Sequence, residues 1–441
     1  MKKLAAAAAA AVAVVASTAA ALIQVGVSAQ PARAQELPRP VDENDYRTAS
    51  SEMVKLGQMF FYDRVLSGTY RVSCATCHNP DRAGSNGFRT DSKPDEEGDE
   101  LAINGLPLYE ALKPSAKHAP ALFNLGAKEF TALFGDGRVA QLPDGSFLSP
   151  AGSELPDGLN DVLAAQALFP AVTGDELVGT VDNAVKEVAH LGNRAVWDAL
   201  ADRIKILPEY EPFVREAYPD LASLDDLDIV HVANSISAFV AAEWRSDNAP
   251  FDAYLRGDKA ALSEQQVKGM QLFYGKAGCS ACHAGTFQTD HAFHIVATPL
   301  WRFDVDFIDG EFDLHSDRSE LTGNEPDRYR RRTPSLRNVE WSPPYGHAGS
   351  FETLDQMLRA HLDPVDGLNA FVADRLKGET APASIEETVQ ALVERNELKK
   401  VALNDAEIGD LLAFLKSLSE PQVLAGKLGR PVEVPSSLAL D

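Results

Sequence analysis

The sequence predicts an all-α protein in two domains joined and decorated by long loops, and three observations carry that prediction. Apolar residues recur at helical spacing, while convincing period-two alternation is absent. Two motifs, Cys74-Ala75-Thr76-Cys77-His78 and Cys279-Ser280-Ala281-Cys282-His283, fall one in each half and use all 4 cysteines of the 441 residues. Two thiols on one turn form thioethers to the two vinyl groups of a haem, and the adjacent His is drawn under the iron as proximal ligand. A bare Cys-x-x-Cys also serves as half a zinc site or as a redox dithiol, but here each pair has its own trailing His. The motifs therefore predict two covalently bound c-type haems, with His78 and His283 as proximal ligands.

The elements follow in order. Lys2-Lys3, an Ala/Val/Leu-rich run to about Val27, and Ala32-Arg33-Ala34 before Gln35 predict a cleaved export signal over residues 1–34. The run is long enough to span a bilayer as a retained anchor, but its Ala dominance, Ser17, Thr18 and the small-x-small site favour removal. Export suits covalent haem attachment and predicts a periplasmic protein. No later segment reaches spanning length, so no membrane span is expected after cleavage. The remainder, with 45% hydrophobic content overall, is too large for one core. The expected division is 35–247 and 248–441, one haem each, at Asn248-Ala249-Pro250. The full chain's formal charge of -24, more negative still once Lys2, Lys3 and Arg33 are cleaved away, argues against nucleic acid and against an anionic membrane surface, and fits a basic or dipolar protein partner.

Met53, Leu56, Met59 and Phe60 give one apolar helical face before the first motif, and Val185 to Ile204 and Leu224 to Trp244 repeat the pattern. Ser263-Glu264-Gln265-Gln266 is a capping-box start for the helix entering the second motif. Asn404-Asp405-Ala406-Glu407 opens a last amphipathic helix ending near Leu418. Connections rich in Gly, Pro and Asp occupy roughly 79–116, 136–160 and 303–330.

Around the motifs, Leu56-Gly57, Leu66-Ser67-Gly68 and Val72-Ser73-Cys74 are followed by Ala119-Pro120 with Asn124, Phe134 with Asp136-Gly137-Arg138, and Gln166-Ala167 with Glu176. In the second half come Pro250-Phe251-Asp252, Tyr254-Leu255-Arg256-Gly257, Phe293-His294, Thr333-Pro334-Ser335-Leu336-Arg337-Asn338, and Pro344-Tyr345 with His347 and Gly349. This ordered set resembles the bacterial dihaem cytochrome c peroxidases and their MauG-like relatives over nearly all of the chain after its leader. The resemblance implies two cytochrome c-like haem domains. Hydrogen peroxide would react at the amino-terminal, peroxidatic haem, and the carboxy-terminal haem would pass it electrons from a small cytochrome c or cupredoxin. Glu176 matches the family's distal carboxylate and Gln166 its distal glutamine. Heterolysis of a peroxide needs a base to take one proton and an acid to deliver it, and one buried carboxylate can do both. On the residues alone, Glu176 would be a helix-entry carboxylate and Gln166 a surface amide.

Departures from the family pattern refine the expectation. Where many relatives close the first haem with a distal His, this chain has Pro94, and no histidine occurs between His78 and His118. An open first haem is expected. On the second haem the family's sixth-ligand position falls on His361, with Met357 one turn earlier as the alternative. Met ligation raises the iron potential, and bis-His ligation would lower it. The family's inter-haem Trp is Gly135 here, so Trp341, Trp244 or direct contact would carry electrons. A family calcium site would keep Ser342 and Pro344 as carbonyl donors, but Lys117-His118 brings an imidazole that suits a hard cation poorly. His347 is expected beside the second haem, His294 near its edge, and Arg330-Arg331-Arg332 and Arg337 as propionate or domain-interface partners. The competing readings are a MauG-like enzyme that oxidises side chains of a protein substrate, and a non-catalytic electron carrier. A homodimer stays open.

Overall fold

The computed structural model describes residues 36–85, 102–103, 106–107, 119–179, 181–300, 318–347, 349–376, 381, 383–424 and 426–440. Pro94, Lys117, His118, His315, the acidic 91–100 stretch and the 1–34 leader lie outside the described residues.

Each half is organised by one pair of crossing helices. In the first, Ser51–Tyr62 starts at Ser50, whose hydroxyl accepts from the Met53 N–H at 3.1 Å, and it crosses Ile229–Glu243, capped by Asp228. In the second, Glu264–Phe273 starts at the Ser263/Gln266 capping box and crosses Asp405–Lys416, whose box is Asn404/Glu407. Both crossings are glycine contacts of the same kind. A Cβ on Gly57 would lie 1.8 Å from the Ser235 carbonyl oxygen and 2.8 Å from Phe239 Cβ. One on Gly269 would lie 1.9 Å from the Asp410 oxygen and 2.8 Å from Phe414 Cβ. Each crossing helix leads into a Cys-x-x-Cys-His motif.

Two apolar cores surround these pairs. The first includes Leu56, Phe60, Phe61, Trp197, Phe239 and Trp244, and the second Phe251, Phe273, Leu411 and Phe414. The aromatic side chains pack edge to face or tilted, with Phe61 to Trp244 centroids 5.3 Å apart and Phe251 to Phe414 5.1 Å. Past Lys416 the chain returns to the first core, where Val423 and Val434 are buried. That return is latched by carboxylates. Glu243 accepts from the Leu428 and Gly429 N–H groups at 2.6 and 2.8 Å, and Asp63 accepts from the hydroxyls of Ser436 (2.6 Å) and Tyr210 (2.7 Å).

The apolar pattern from Val185 to Ile204 divides into Ala184–Val188 and Asn193–Lys205, because Gly192 sits at φ 109 between them. The 136–160 connection is partly ordered as a small antiparallel sheet of Ala132–Leu133, Val139–Gln141 and Phe147–Leu148. A second short ladder pairs Phe293–His294 with Arg331–Arg332. No helix among the described residues is long and apolar enough to cross a membrane.

Candidate haem centres

The two Cys-x-x-Cys-His segments share one backbone geometry. Cys74–Cys77 is a single α-turn, opened by the Ser73 N–H donating to Thr76 Oγ1 at 2.8 Å and closed by the His78 N–H donating to the Cys74 carbonyl at 2.9 Å. Cys279–Ala281 is a 3-10 turn, closed by the His283 N–H on the Cys279 carbonyl, also at 2.9 Å. Residues three apart on a helical turn share a face, so each pair of sulfurs is presented together with the imidazole that follows.

Both imidazoles are oriented by backbone carbonyls. His78 Nδ1 donates to Gly84 O at 3.0 Å and His283 Nδ1 to Gln288 O at 3.1 Å, with the Pro120 and Pro334 carbonyls adding to the hold. A carbonyl only accepts, so the proton sits on Nδ1 and Nε2 keeps the lone pair that an iron needs. The supporting loops turn through left-handed residues: Ala83 and Gly84 at φ 57 and 69, and Gln288 at φ 50. Gly84 also backs onto an indole, since a Cβ there would lie 3.1 Å from Trp244 Nε1.

His361 lies in the last turn of the Leu354–Leu362 helix, and its Nδ1 donates to the Met357 carbonyl at 3.1 Å, the same pattern again. The Met357 side chain packs instead beside Tyr345 and Phe351. Burial pushes His78 and His361 below the ordinary imidazole value. His283 is pushed down to about 4, first by burial and then by the positive charge that His361 would carry nearby. All three side chains nonetheless keep partial surface exposure. Deep surroundings with residual exposure are what a side chain on the wall of an internal crevice shows. The four cysteines are partly exposed, and burial lifts the Cys279 thiol to about 12. This donor set, two thiols and a carbonyl-oriented imidazole per crevice, fits a covalently attached haem at each motif.

Gln166 occupies the end of the Val162–Ala167 helix, and Glu176 a short π-type turn, Gly174–Val178, at φ -120 and ψ -114. Both side chains are partly exposed. The Glu176 turn is pinned to the approach of the first motif: the Gly68 N–H donates to the Leu177 carbonyl at 2.6 Å, and Asn183 Nδ2 donates to the Val178 carbonyl at 2.9 Å.

The arginines separate into different roles. Arg337 pairs with Asp252 and donates to the Thr286 carbonyl, and Arg330 bonds Glu397 at 2.8 Å and the Phe293 carbonyl at 2.6 Å. Arg331 and His347 stand beside Gly135, where a Cβ would lie 3.5 Å from Arg331 Cδ and 3.8 Å from His347 Nδ1. Trp341 packs on the first core, and Trp244 lies inside it. His294 is clamped between Asp290 (2.9 Å) and Glu397 (2.8 Å), and Cys282, Asp290 and His294 bring ligand-type atoms within 4.8 Å of one another. A thioether at Cys282 would have no thiolate to offer, and the cluster borders the second Cys-x-x-Cys-His motif. Ser342 and Pro344 flank a cis Pro343-Pro344 bond just past the Val339–Trp341 turn.

Sequence reasoning missed the carbonyls of Gly84 and Gln288, the Asp252 partner of Arg337, and the carboxylates of Glu243, Glu420 and Asp63. Glu420 accepts from Ser246 Oγ and from the Asp247 and Asn248 N–H groups at 3.1, 2.9 and 2.9 Å, holding the segment between the halves. The Gly84 and Gln288 carbonyls lie six and five residues past their imidazoles, aimed by backbone turns that no side-chain pattern marks, and the carboxylates have partners far away in the chain.

Residues 51–260 match the family described as di-haem cytochrome c peroxidase. The methylamine utilization protein MauG of Methylorubrum extorquens is 27% identical over 388 residues, covering 88% of this chain and 84% of that protein. The cytochrome c551 peroxidase of Pseudomonas aeruginosa is 28% identical over 316 residues, 71% of this chain and 72% of its own. Among solved structures, a MauG-like protein associated with microbial copper homeostasis superposes with a TM-score of 0.58 at 24% identity, covering 89% of this chain and 95% of the other. The diheme peroxidase BthA from Burkholderia thailandensis gives 0.55 at 22%, covering 94% and 98%. At these identities the superpositions speak for the shared fold.

Proposed function

This chain belongs to the dihaem cytochrome c peroxidase and MauG-like family of oxidoreductases with two c-type haems, and from that premise we propose that it reduces hydrogen peroxide to water at the haem held by His78. Electrons reach that haem from the one held by His283 and His361, supplied by a small cytochrome c or cupredoxin. The proposed peroxidatic domain is 35–247 and the proposed electron-transfer domain 248–441, in an exported, periplasmic protein. The observation that carries the reading is an asymmetry. His283 shares its surroundings with a second imidazole, His361, whereas among the described residues His78 is perturbed only by burial and by two backbone carbonyls. One saturated and one accessible iron is what a donor centre and a reaction centre require.

The haems supply the redox equivalents that break the O–O bond. The chain supplies the protons: Glu176 takes the proton of the near peroxide oxygen and returns it to the departing one, and Gln166 orients the peroxide by its amide. Two electrons and two further protons complete the conversion of one peroxide to two waters. A calcium ion held by the Ser342 and Pro344 carbonyls belongs to the same proposal.

A second reading keeps both haems and spends the oxidising power on side chains of a partner protein, as the MauG relatives suggest; an imidazole rather than a thioether as sixth ligand favours it. The test is an EPR and visible spectrum of the oxidised protein before and after one equivalent of hydrogen peroxide, without donor. One high-spin and one bis-His low-spin haem, reacting within seconds, supports an open first site. A long-lived oxidised species would select the second reading. Two low-spin haems with no peroxide reaction until one is reduced would mean that a further ligand closes the first haem, overturning the open site and leaving a reductively activated peroxidase or an electron carrier.

A further inference from the structure

Arg332 is a half-buried cation that meets no anion among the described residues. Its neighbours in the chain and in space are accounted for: Arg330 by Glu397, Arg337 by Asp252, and Arg138 by Asp136 at 3.0 Å. Arg318 donates to the Asp136 carbonyl at 2.8 Å and lies over the Phe293 ring. Arg332 meets no carboxylate among the described residues. Its side chain makes only two long contacts, Nε to the Phe134 carbonyl and Nη1 to the Thr333 carbonyl, both 3.4 Å. Burial alone pushes its guanidinium down to about 10, and its side chain keeps the partial exposure of a crevice wall. A guanidinium has five donors in a fixed fork, and burying it without a counter-charge costs several kcal/mol.

Its position says what is missing. The Arg332 N–H donates to the Gly135 carbonyl at 2.7 Å, while its own strand pairs with Phe293–His294. The next residue, Thr333, accepts from Thr289 Oγ1 at 2.7 Å, and the Pro334 carbonyl helps to hold His283. Arg332 therefore reaches from the proximal wall of the second haem centre to Phe134 and Gly135 of the first half. The group that suits it is a carboxylate that arrives with the cofactor.

We propose that Arg332 clamps a haem propionate at the seam between the two halves. The planar fork takes a carboxylate through two parallel hydrogen bonds, and the retained positive charge favours the reduced iron beside it. This rests on the two-haem reading, and a pyridine haemochrome count made first separates the failure of that reading from the failure of this one.

The experiment is spectroelectrochemistry of Arg332→Gln and Arg332→Lys between pH 5 and 8. In Arg332→Gln the reduction equilibrium of one haem shifts about tenfold toward the oxidised form, about 59 mV, and becomes pH-dependent as the released propionate titrates. Arg332→Lys recovers most of that shift. Movement of the low-spin bands assigns the propionate to the second haem, and movement of the high-spin bands to the first. Unchanged midpoints in a two-haem Arg332→Gln protein overturn the proposal. Should that variant fail to fold, redox-difference infrared spectra of the wild type with haem labelled at its propionate carboxyls decide. A carboxylate band displaced from those of solvated propionates supports the clamp, and coincident bands overturn it.

Discussion

Arg337 and Asp252 form a two-pronged ion pair with both side chains entirely buried, Nη1 to Oδ2 at 2.5 Å and Nη2 to Oδ1 at 2.9 Å. The arginine's second nitrogen also donates to the Thr286 carbonyl at 2.7 Å, and the carboxylate accepts from the Ala249 N–H at 3.1 Å. One pair thus ties the start of the Pro250–Leu255 helix to the loop that follows His283. Removing one partner strands a buried charge, so Arg337→Gln or Asp252→Asn should cost roughly 3–5 kcal/mol. Replacing both by apolar residues should cost less than the two single changes summed. Denaturant unfolding of the singles and the double reads the coupling; additive losses would show that the pair does not act as a unit.

Gly57 and Gly269 should respond alike to Ala. In each case the new methyl meets a backbone carbonyl at under 2 Å, and the facing helix has to move. A loss of roughly 1–3 kcal/mol or more is expected for each, together with lower haem incorporation at the neighbouring motif. Expression of the variants and their haem-to-protein ratio check this, and wild-type incorporation would contradict it.

Glu176→Gln should lower the rate of peroxide reduction about a hundredfold or more, the usual contribution of an acid-base group, while leaving both haem spectra unaltered. Stopped-flow mixing with peroxide measures it. Unchanged turnover would remove Glu176 from the proton path.

His361→Ala should convert the second haem to high spin, and Met357→Leu should leave it low spin, because the His361 ring already donates Nδ1 to the Met357 carbonyl and keeps Nε2 free. EPR of the two oxidised variants is the check. The opposite result would assign the ligand to the Met357 thioether.

His294 gives stability a pH dependence with a definite sign. Its pKa is raised to about 11, first by Asp290 and then by Cys282 and Glu397, against roughly 6.5 in an unfolded chain. A raised folded-state value means that the contribution is complete below about pH 6.5 and is lost as pH climbs toward the folded value. A thioether-bonded Cys282 carries no charge, so in the haem-bearing protein the loss is complete below about 11. Chemical denaturation between pH 6 and 10 should show a decline that His294→Gln lacks; parallel curves would mean that the clamp is not charged.

The two Cys-x-x-Cys-His motifs were legible because each is a local device. Two sulfurs and an imidazole are set by one helical turn, so order in sequence is order in space, and Ser263 and Asn404 announced their helices through caps that act within three residues. The helical spacing from Val185 to Ile204 was met by two helices rather than one for an equally local reason, since Gly192 takes a positive φ that the apolar pattern does not mark. Roles for Arg330, Arg331, Arg332 and Arg337 could not be separated in the sequence, where three of them are consecutive. In the folded chain one faces Glu397, one Gly135, one no anion among the described residues and one Asp252.

The sequence by itself determined the helical class and the two Cys-x-x-Cys-His motifs from which haem attachment and proximal imidazoles are proposed, because motif spacing and capping depend on neighbours a few residues apart. Tertiary structure alone decided that His361 stands near His283, that residues 421–440 return to the first core, and that Asp252 pairs with Arg337. Those are long-range relationships, settled by burial and charge pairing among segments that only packing brings together.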